Sequence, residues 1–135
     1  MTVRDTGAMI AGMSPRLDPG LWHFCTVDPD GPLAPRVKEC ALSTFIEDEG
    51  LSAILPGDDA KALGLAGPLP MRRITLQVNS ALDGVGLTAA VAGELARAGI
   101  PCNMVAAFHH DHVFVPADRA AEALTRLQAR AGASS

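Results

Sequence analysis

A very short connection between two apolar runs is the strongest constraint on the fold of this chain. Residues 102–108 are apolar except for Asn103, residues 113–115 are apolar, and the polar residues His109, His110, Asp111 and His112 lie between the two runs. Because so short a connection cannot cross over a sheet, the two runs must pair as an antiparallel hairpin. Any fold proposed for this half of the chain therefore has to contain that hairpin.

The segments on either side of the hairpin complete a β-α-β-β-α order. Residues 73–78 alternate polar and apolar side chains, which predicts a half-buried strand. Residues 87–98 and 118–130 each place apolar side chains on one face, which predicts two helices. This order is the core of a ferredoxin-like α+β fold, in which both helices cover one face of an antiparallel sheet.

The first half of the chain repeats this pattern in a degenerate form. Phe45-Ile46-Glu47-Asp48 matches Phe108-His109-His110-Asp111, and residues 56–60 match residues 116–120. Too few residues separate Val27 from Cys40 for a full first helix. The predicted elements of this half are strands over 21–27, 37–45 and 51–55 and a helix over 58–63. The predicted organisation is an N-terminal arm (1–20), a degenerate first half (21–66) and a complete second half (71–131).

Composition excludes several classes of function. The chain has 11 Lys and Arg against 15 Asp and Glu, a net charge of −4, which argues against nucleic-acid binding. No apolar run approaches the length of a membrane-spanning helix. Three cysteines without a C-x-x-C pair are typical of reduced thiols, and the first residues lack the pattern of a secretory signal, so we expect a cytoplasmic protein.

The stretch LDGVGLTAAVAGELARAGIPCNMVAAFHHDHVFVP (82–116) resembles the ACT domain, a small amino-acid-binding regulatory module. The segment FIEDEGLSAILP (45–56) extends the resemblance to short bacterial proteins with two ACT-like halves side by side. Similar tandem pairs occur in lysine-sensitive aspartokinases and in eukaryotic arginine sensors. The resemblance implies a non-catalytic regulatory protein with an amino acid or similar metabolite as ligand and an enzyme as its regulated partner.

The resemblance also implies a ligand site between paired halves, contacted by the loop after the first strand. Here that loop is Asp83, Gly84, Val85, Gly86 and Leu87. The residue types fit independently, because glycines let backbone N–H groups approach a ligand closely. The following helix N-terminus is suited to a carboxylate, and the acidic side chain at position 83 is suited to an ammonium group.

Further ligand contacts are expected on the strands. Asn103 offers both a donor and an acceptor. By position in the related arginine sensors, the resemblance adds Phe108 and Asp111, which are echoed in the first half by Thr44, Phe45 and Asp48. The alternative is that the glycines only form a turn and Asn103 only caps a strand edge, in which case the chain is an interaction subunit without ligand.

Three other functions are weaker interpretations. Residues 84–89 satisfy the dinucleotide fingerprint G-x-G-x-x-A, but the hairpin contradicts the parallel strand that this fold needs. His109, His110 and His112 are metal-ligand types, but neighbouring strand residues point to opposite faces, so we expect no metal. Cys25 and Cys102 lie in apolar runs where thiols are inert, so we expect no catalysis and no cofactor. We also expect a homodimer, because closed two-fold pairs are the commonest assemblies.

Overall fold

The computed structural model describes residues 6–78 and 86–133. The chain forms two compact units: a terminal unit of Met1–Pro19 with Arg72–Ser135, and a middle unit of Gly20–Met71. In chain order the helices and strands are α1 (Thr6–Ala11), β1 (Pro15–Leu17), β2 (Trp22–Val27), α2 (Ala34–Cys40), β3 (Ser43–Glu47), β4 (Gly50–Pro56), α3 (Gly57–Ala62), β5 (Met71–Leu76), α4 (Leu87–Arg97), β6 (Asn103–Ala106), β7 (Asp111–Pro116) and α5 (Ala120–Ala133).

Strand β5 is central in the terminal unit. It pairs antiparallel with β1 and lies beside β7, which pairs antiparallel with the edge strand β6. Ile74 and Leu76 are buried in the core with Val113 and Val115 of β7. Because side chains alternate along a strand, Arg73 and Thr75 of β5 point to the opposite face of the sheet. The predicted antiparallel hairpin is confirmed as β6–β7.

Helices α1, α4 and α5 supply the other side of this core. The buried residues of α4 are Leu87, Val91 and Leu95, spaced by four so that they lie on one face of the helix. Gly99 follows α4 with φ +70°, the left-handed conformation in which a glycine commonly ends a helix.

The N-terminal segment is an integral part of the terminal unit. Where the sequence predicts an arm over residues 1–20, the described part forms α1 and β1. Met9, Ile10 and Met13 are buried in the core with α4 and α5. A six-residue helix and a three-residue strand are too short to show hydrophobic periodicity, which explains why the sequence did not reveal them.

The middle unit has the strand order β3-β4-β2, with antiparallel pairing throughout. Helices α2 and α3 cover one face over a small core that includes Val37, Leu51 and Leu55. The strand predicted over 37–45 is wrong in its first part, because residues 34–40 are helical. Pro35 in the first turn favours a helix start, and only from Ser43 onward is the backbone extended.

Both units therefore repeat the β-α-β-β-α order, and the prediction of two ferredoxin-like α+β halves is confirmed. The first half is degenerate as expected, since α2 has 7 residues against 11 in α4. Within the described residues, every helix is too short or too polar to cross a lipid bilayer.

Candidate functional site

The β6–β7 hairpin turn and the end of β5 lie at the same end of the terminal unit. Nδ1 of His112 lies 3.2 Å from the Thr75 hydroxyl, and Nδ1 of His110 lies 3.3 Å from the carbonyl oxygen of Val78. Strands β5 and β7 therefore run antiparallel. The predicted residues Phe108 and Asp111 consequently lie at the end of the sheet from which the chain leaves β5 toward α4.

Gly86 begins α4 in a conformation that suits glycine. Its φ is +103°, and its carbonyl accepts the first helical hydrogen bond from the Ala90 N–H at 2.9 Å. It provides no side-chain cap for the first turn. The start of α4 thus keeps the positive end of the helix dipole and backbone donors that residue 86 does not satisfy. The other predicted loop residues, Asp83, Gly84 and Val85, lie outside the described residues.

Leu87 contributes to the site only through its backbone. Its side chain is 4% exposed and packs in the core with Val91 and Leu95. A ligand at the start of α4 can therefore meet the N–H group of Leu87 but not its side chain. The sequence predicts that the helix begins at Leu87, as the structure has it, but the sequence alone does not tell which way this side chain points.

Asn103 is separated from the start of α4. It is the first residue of β6 and lies opposite Phe114, whereas Ala106, at the hairpin end, lies opposite Asp111. At about 3.3 Å per residue, Asn103 is roughly 10 Å farther along the strand than Ala106. The structure therefore brings Phe108 and Asp111 to the end of the sheet where α4 begins, and does not bring Asn103 there.

Thr44 and Phe45 lie on β3 of the middle unit, and both are exposed. Phe45 is 73% exposed and its counterpart in the repeat, Phe108, is 74% exposed. The predicted equivalence of the two positions thus extends to their exposure. Exposed phenylalanines at matched places in two repeats are unusual, because aromatic side chains gain most from burial.

A buried polar cluster in the terminal unit was not predicted. The Asp18 carboxylate accepts hydrogen bonds from Nε of Arg16 at 2.7 Å, from Nε of Arg73 at 2.8 Å and from the Thr75 hydroxyl. The side chain of Arg72 donates to the Asp18 carbonyl oxygen at 2.9 Å. These contacts join β5 to the residue that follows β1. No sequence signal marked Asp18, since it lies in a polar segment next to a Pro-Gly pair.

Burial and charge act in opposite directions on Asp18. Burial raises the pKa of the Asp18 carboxyl, but the hydrogen bonds from Thr75 and Arg16 and the positive charge of Arg73 outweigh it and hold the pKa below its usual range. The Asp18 side chain is 6% exposed, and both of its carboxylate oxygens accept hydrogen bonds. The cluster therefore stabilises the joint between β1 and β5 and leaves little room for a ligand on Asp18 itself.

The histidines of the hairpin have separate partners. The ring of His109 contacts Phe108 edge to face, with centroids 5.0 Å apart, while His110 and His112 contact β5 and the residue that follows it. Among residues 6–78 and 86–133, no group of three or more His, Cys, Asp or Glu side chains is placed to hold a metal ion.

The three cysteines are unpaired, half-buried thiols. Burial raises the pKa of the Cys25 and Cys102 thiols, and this favours the protonated form, which is a poor nucleophile. Among the described residues, each influence on the pKa of these two thiols raises it, so none activates a nucleophile.

Comparison with known proteins identifies the family. Two family models described as ACT domain match the chain, one over residues 2–72 and one over residues 70–129. The change from one match to the other falls where the middle unit ends, at Met71. No curated protein matches the chain.

Several solved structures are similar to the chain. A Vibrio cholerae protein of unknown function, described as a possible transport protein, shares 39% identity with a TM-score of 0.81, covering 93% of this chain and 94% of that one. An Agrobacterium tumefaciens protein shares 17% identity over 87% of each chain, with a TM-score of 0.68. The ligand-free regulatory subunit of aspartate kinase from Thermus thermophilus shares 14% identity over 89% of this chain and 98% of that one, with a TM-score of 0.63. On the two family matches and the first of these relatives, the chain belongs to the ACT domain family.

Proposed function

We propose that this chain is a non-catalytic regulatory protein that binds an amino acid or a similar small metabolite where α4 begins. The observation that carries the proposal is the start of α4, where Gly86 adopts φ +103° and gives the first turn no side-chain cap. Backbone donors and the helix dipole at such a start favour a carboxylate. Membership of the ACT domain family supports a small metabolite as the source of that carboxylate.

The β6–β7 hairpin supplies a carboxylate and an aromatic ring at the same end of the sheet. Asp111 is half-buried at the start of β7 and Phe108 is exposed beside it. A carboxylate side chain suits the ammonium group of an amino acid, and an aromatic ring suits its side chain. In this proposal Asp83, Gly84 and Val85 complete the site, and the ligand acts on a regulated enzyme through the dimer.

The proposal is tested by thermal unfolding in the presence of each of the twenty amino acids. A ligand that binds only the folded state at 100 times its Kd stabilises by about 2.7 kcal/mol. That gain is expected to raise Tm by several degrees. For any amino acid that stabilises, the matched control is its decarboxylated amine, which retains the side chain and ammonium group. The amine is expected to give no shift, because it lacks the group that the start of α4 binds.

The alternative function is that of an interaction subunit that binds a partner without a small ligand. The observation in its favour is the exposure of Phe45 and Ile46 on β3, which is typical of a contact surface. Unchanged Tm with all twenty amino acids would favour this alternative. An equal Tm shift with an amino acid and its amine would support ligand binding but contradict the binding of a carboxylate at the start of α4.

A further inference from the structure

The face of the terminal sheet opposite its helices carries two arginines. Arg16 of β1 lies opposite Thr75 of β5, and Arg73 lies two residues before Thr75 on the same strand, so the three side chains share this face. The side chain of Arg16 is 56% exposed and that of Arg73 is 20% exposed. Both guanidinium groups are therefore accessible from solvent.

These arginines share a single carboxylate. Nε of Arg16 donates to one oxygen of Asp18 at 2.7 Å, and Nε of Arg73 donates to the other at 2.8 Å. The side chain of Arg72 brings a third positive charge to the same residue, because it donates to the Asp18 carbonyl oxygen at 2.9 Å. Three positive charges thus surround one acidic residue in a chain whose net charge is −4. A local excess of like charge attracts an anion from solution.

Arg16 has donors to offer such an anion. A guanidinium group carries five N–H donors. Among the described residues, Arg16 donates only from Nε and only to Asp18. Its two Nη atoms therefore keep their donors, in the planar arrangement that carboxylate and phosphate groups accept.

His112 adds a titratable group whose tautomer is fixed by its neighbours. The Thr75 hydroxyl has one proton, and it donates that proton to the ionised Asp18 carboxylate. The hydroxyl oxygen must then accept a hydrogen bond from Nδ1 of His112, which lies 3.2 Å away. The neutral ring therefore carries its proton on Nδ1. Nε2, which has no hydrogen-bond partner within residues 6–78 and 86–133, is the atom that takes up a second proton.

We propose that Arg16, Arg73 and His112 form a binding site for an oxyanion, the carboxylate or phosphate group of a small ligand, on this face of the terminal sheet. Arg16 donates to the anion from its Nη atoms, and Arg73 contributes its positive charge. When His112 is protonated, its Nε2–H group becomes a further donor.

The site couples anion binding to proton uptake by His112. Charged or titratable groups face this ring from β5, from the residue after β1 and from the hairpin, namely Arg73, Asp18, His110 and Asp111. The residue opposite His112 on β6 is the uncharged Val105. Burial and the charge of Arg73 lower the pKa of His112. A bound anion offsets the charge of Arg73 and raises this pKa, and by linkage protonation of His112 strengthens anion binding by the same factor.

The coupling is tested with sulfate, which stays a dianion over the pH range used, so that only the protein titrates. Histidine NMR signals are followed from pH 7.5 to pH 5 in sodium sulfate and in sodium chloride of equal ionic strength, and His112→Gln assigns the signal of His112. The pKa of His112 is expected to be higher in sulfate. Sulfate affinity is expected to rise about fivefold or more between the two ends of this range. An equal pKa of His112 in the two salts would overturn the proposal.

Variants test the residues of the site. Arg16→Gln is expected to weaken sulfate binding about tenfold or more, the usual effect of losing a hydrogen bond to a charged group. The matched control is Arg36→Gln, since Arg36 is 52% exposed and also pairs with an aspartate, Asp59, at 3.1 Å. This control is expected to bind sulfate like the wild-type chain, and circular dichroism verifies that each variant is folded. Equal weakening by the two substitutions would show a general effect of charge and overturn the site.

Two further measurements define the anion and the role of His112. His112→Gln is expected to bind sulfate with an affinity that no longer changes with pH, and a retained pH dependence would contradict the role of this ring. Acetate, compared with sulfate on the wild-type chain, distinguishes the two ligand groups. Tighter binding of sulfate assigns the site to a phosphate group, and tighter binding of acetate assigns it to a carboxylate.

This site does not depend on ligand binding at the start of α4, because it lies on the face of the sheet opposite that helix. Sulfate binding without a Tm shift from any amino acid would support this site and contradict the proposed function. A Tm shift from an amino acid that persists in Arg16→Gln, without sulfate binding to the wild-type chain, would support the proposed function and contradict this site.

Discussion

The side chain of Thr6 lies directly against Gly86, so that a Cβ atom on Gly86 would come within 2.6 Å of the Thr6 Cγ2 atom. This contact joins the start of α1 to the start of α4. Gly86 also has φ +103°, a conformation that side chains rarely adopt. Two independent causes, one in the backbone and one in the packing, therefore require glycine at the proposed ligand site.

We predict that Gly86→Ala lowers the free energy of unfolding and that Thr6→Ser restores part of the loss. The backbone strain costs about 1–2 kcal/mol and is unaffected by residue 6. The serine lacks the Cγ2 methyl group, so only the steric part is recovered. Urea unfolding of the wild-type chain, both single variants and the double variant gives this coupling directly. A coupling energy of zero would show that the two residues do not touch.

The same geometry affects the choice of variants for binding studies. A carboxylate near a helix N-terminus is by itself stabilising by about 0.3–1 kcal/mol. Gly86→Asp nevertheless adds a Cβ at the position where Thr6 lies, so it is expected to destabilise the fold. Ligand analogues therefore test the start of α4 more cleanly than substitutions at Gly86.

Leu87→Ala is expected to destabilise the protein by about 2–5 kcal/mol, the usual cost of truncating a buried leucine. Leu87 is 4% exposed and packs with Val91 and Leu95. The control is Leu69→Ala, since Leu69 is half exposed and the same atoms are removed. Urea unfolding should show little change for Leu69→Ala. Equal losses in the two variants would mean that Leu87 is not a core residue.

The second half of the chain could be predicted well because its elements are long and periodic. The alternation over 73–78 and the apolar face over 87–98 correspond to β5 and α4 within two residues at each end. The hairpin followed from chain length alone. These local signals also located the start of α4 at Gly86, because a glycine before an amphipathic stretch has a direct structural meaning.

The features that could not be predicted from the sequence depend on contacts between segments far apart in the chain. Met9 and Met13 enter a core built mainly from residues 74–127, and nothing local indicates that pairing. Asp18 is bound by side chains more than fifty residues away. Arg73 belongs to the central strand β5 and pairs with Asp18, a partner that its position in the sequence does not indicate.

Removal of divalent metal is expected to leave Tm unchanged. The rings of His110 and His112 each lie within hydrogen-bond distance of an oxygen atom, and His109 contacts Phe108, so their nitrogen atoms do not converge. Thermal unfolding with and without EDTA tests this, and re-addition of Zn²⁺ is the control for nonspecific effects of the chelator. A drop in Tm that Zn²⁺ reverses would establish a structural metal.

His112 is expected to make stability fall as the pH decreases below the unfolded histidine value of about 6.5. Burial and the positive charge of Arg73 lower the pKa of His112, and the negative charges of Asp18 and Asp111 offset only part of this. The unfolded chain therefore takes up the proton first, which favours unfolding between the two pKa values. The charge of a second histidine, His110, acts in the same direction as Arg73.

The measurement is urea unfolding between pH 7.5 and pH 5 for the wild-type chain and His112→Gln. Below pH 6.5 the variant should lose less stability than the wild-type chain. His109→Gln is the matched control, because His109 is an exposed histidine three residues away on the same hairpin. Parallel pH profiles for the wild-type chain and His112→Gln would contradict the burial of this ring.

Asp18→Asn is expected to reduce stability at neutral pH by about 1–3 kcal/mol, because it removes the charge from hydrogen bonds with Arg16, Arg73 and Thr75. The lowered pKa of Asp18 fixes the sign of the pH dependence. Its contribution is present in full above the unfolded aspartate value of about 3.9 and disappears as the pH falls through the lower, folded value. Unfolding measured at pH 7 and at steps below pH 4 should therefore show a gap in the free energy of unfolding between wild-type and variant that closes only in acid.

Asp30→Asn, at an exposed aspartate in a turn of the middle unit, is the control and should show no such gap. A gap that persists unchanged below the folded value would mean that the substituted amide side chain disrupts packing, and that the charge of Asp18 contributes little to holding β1 against β5.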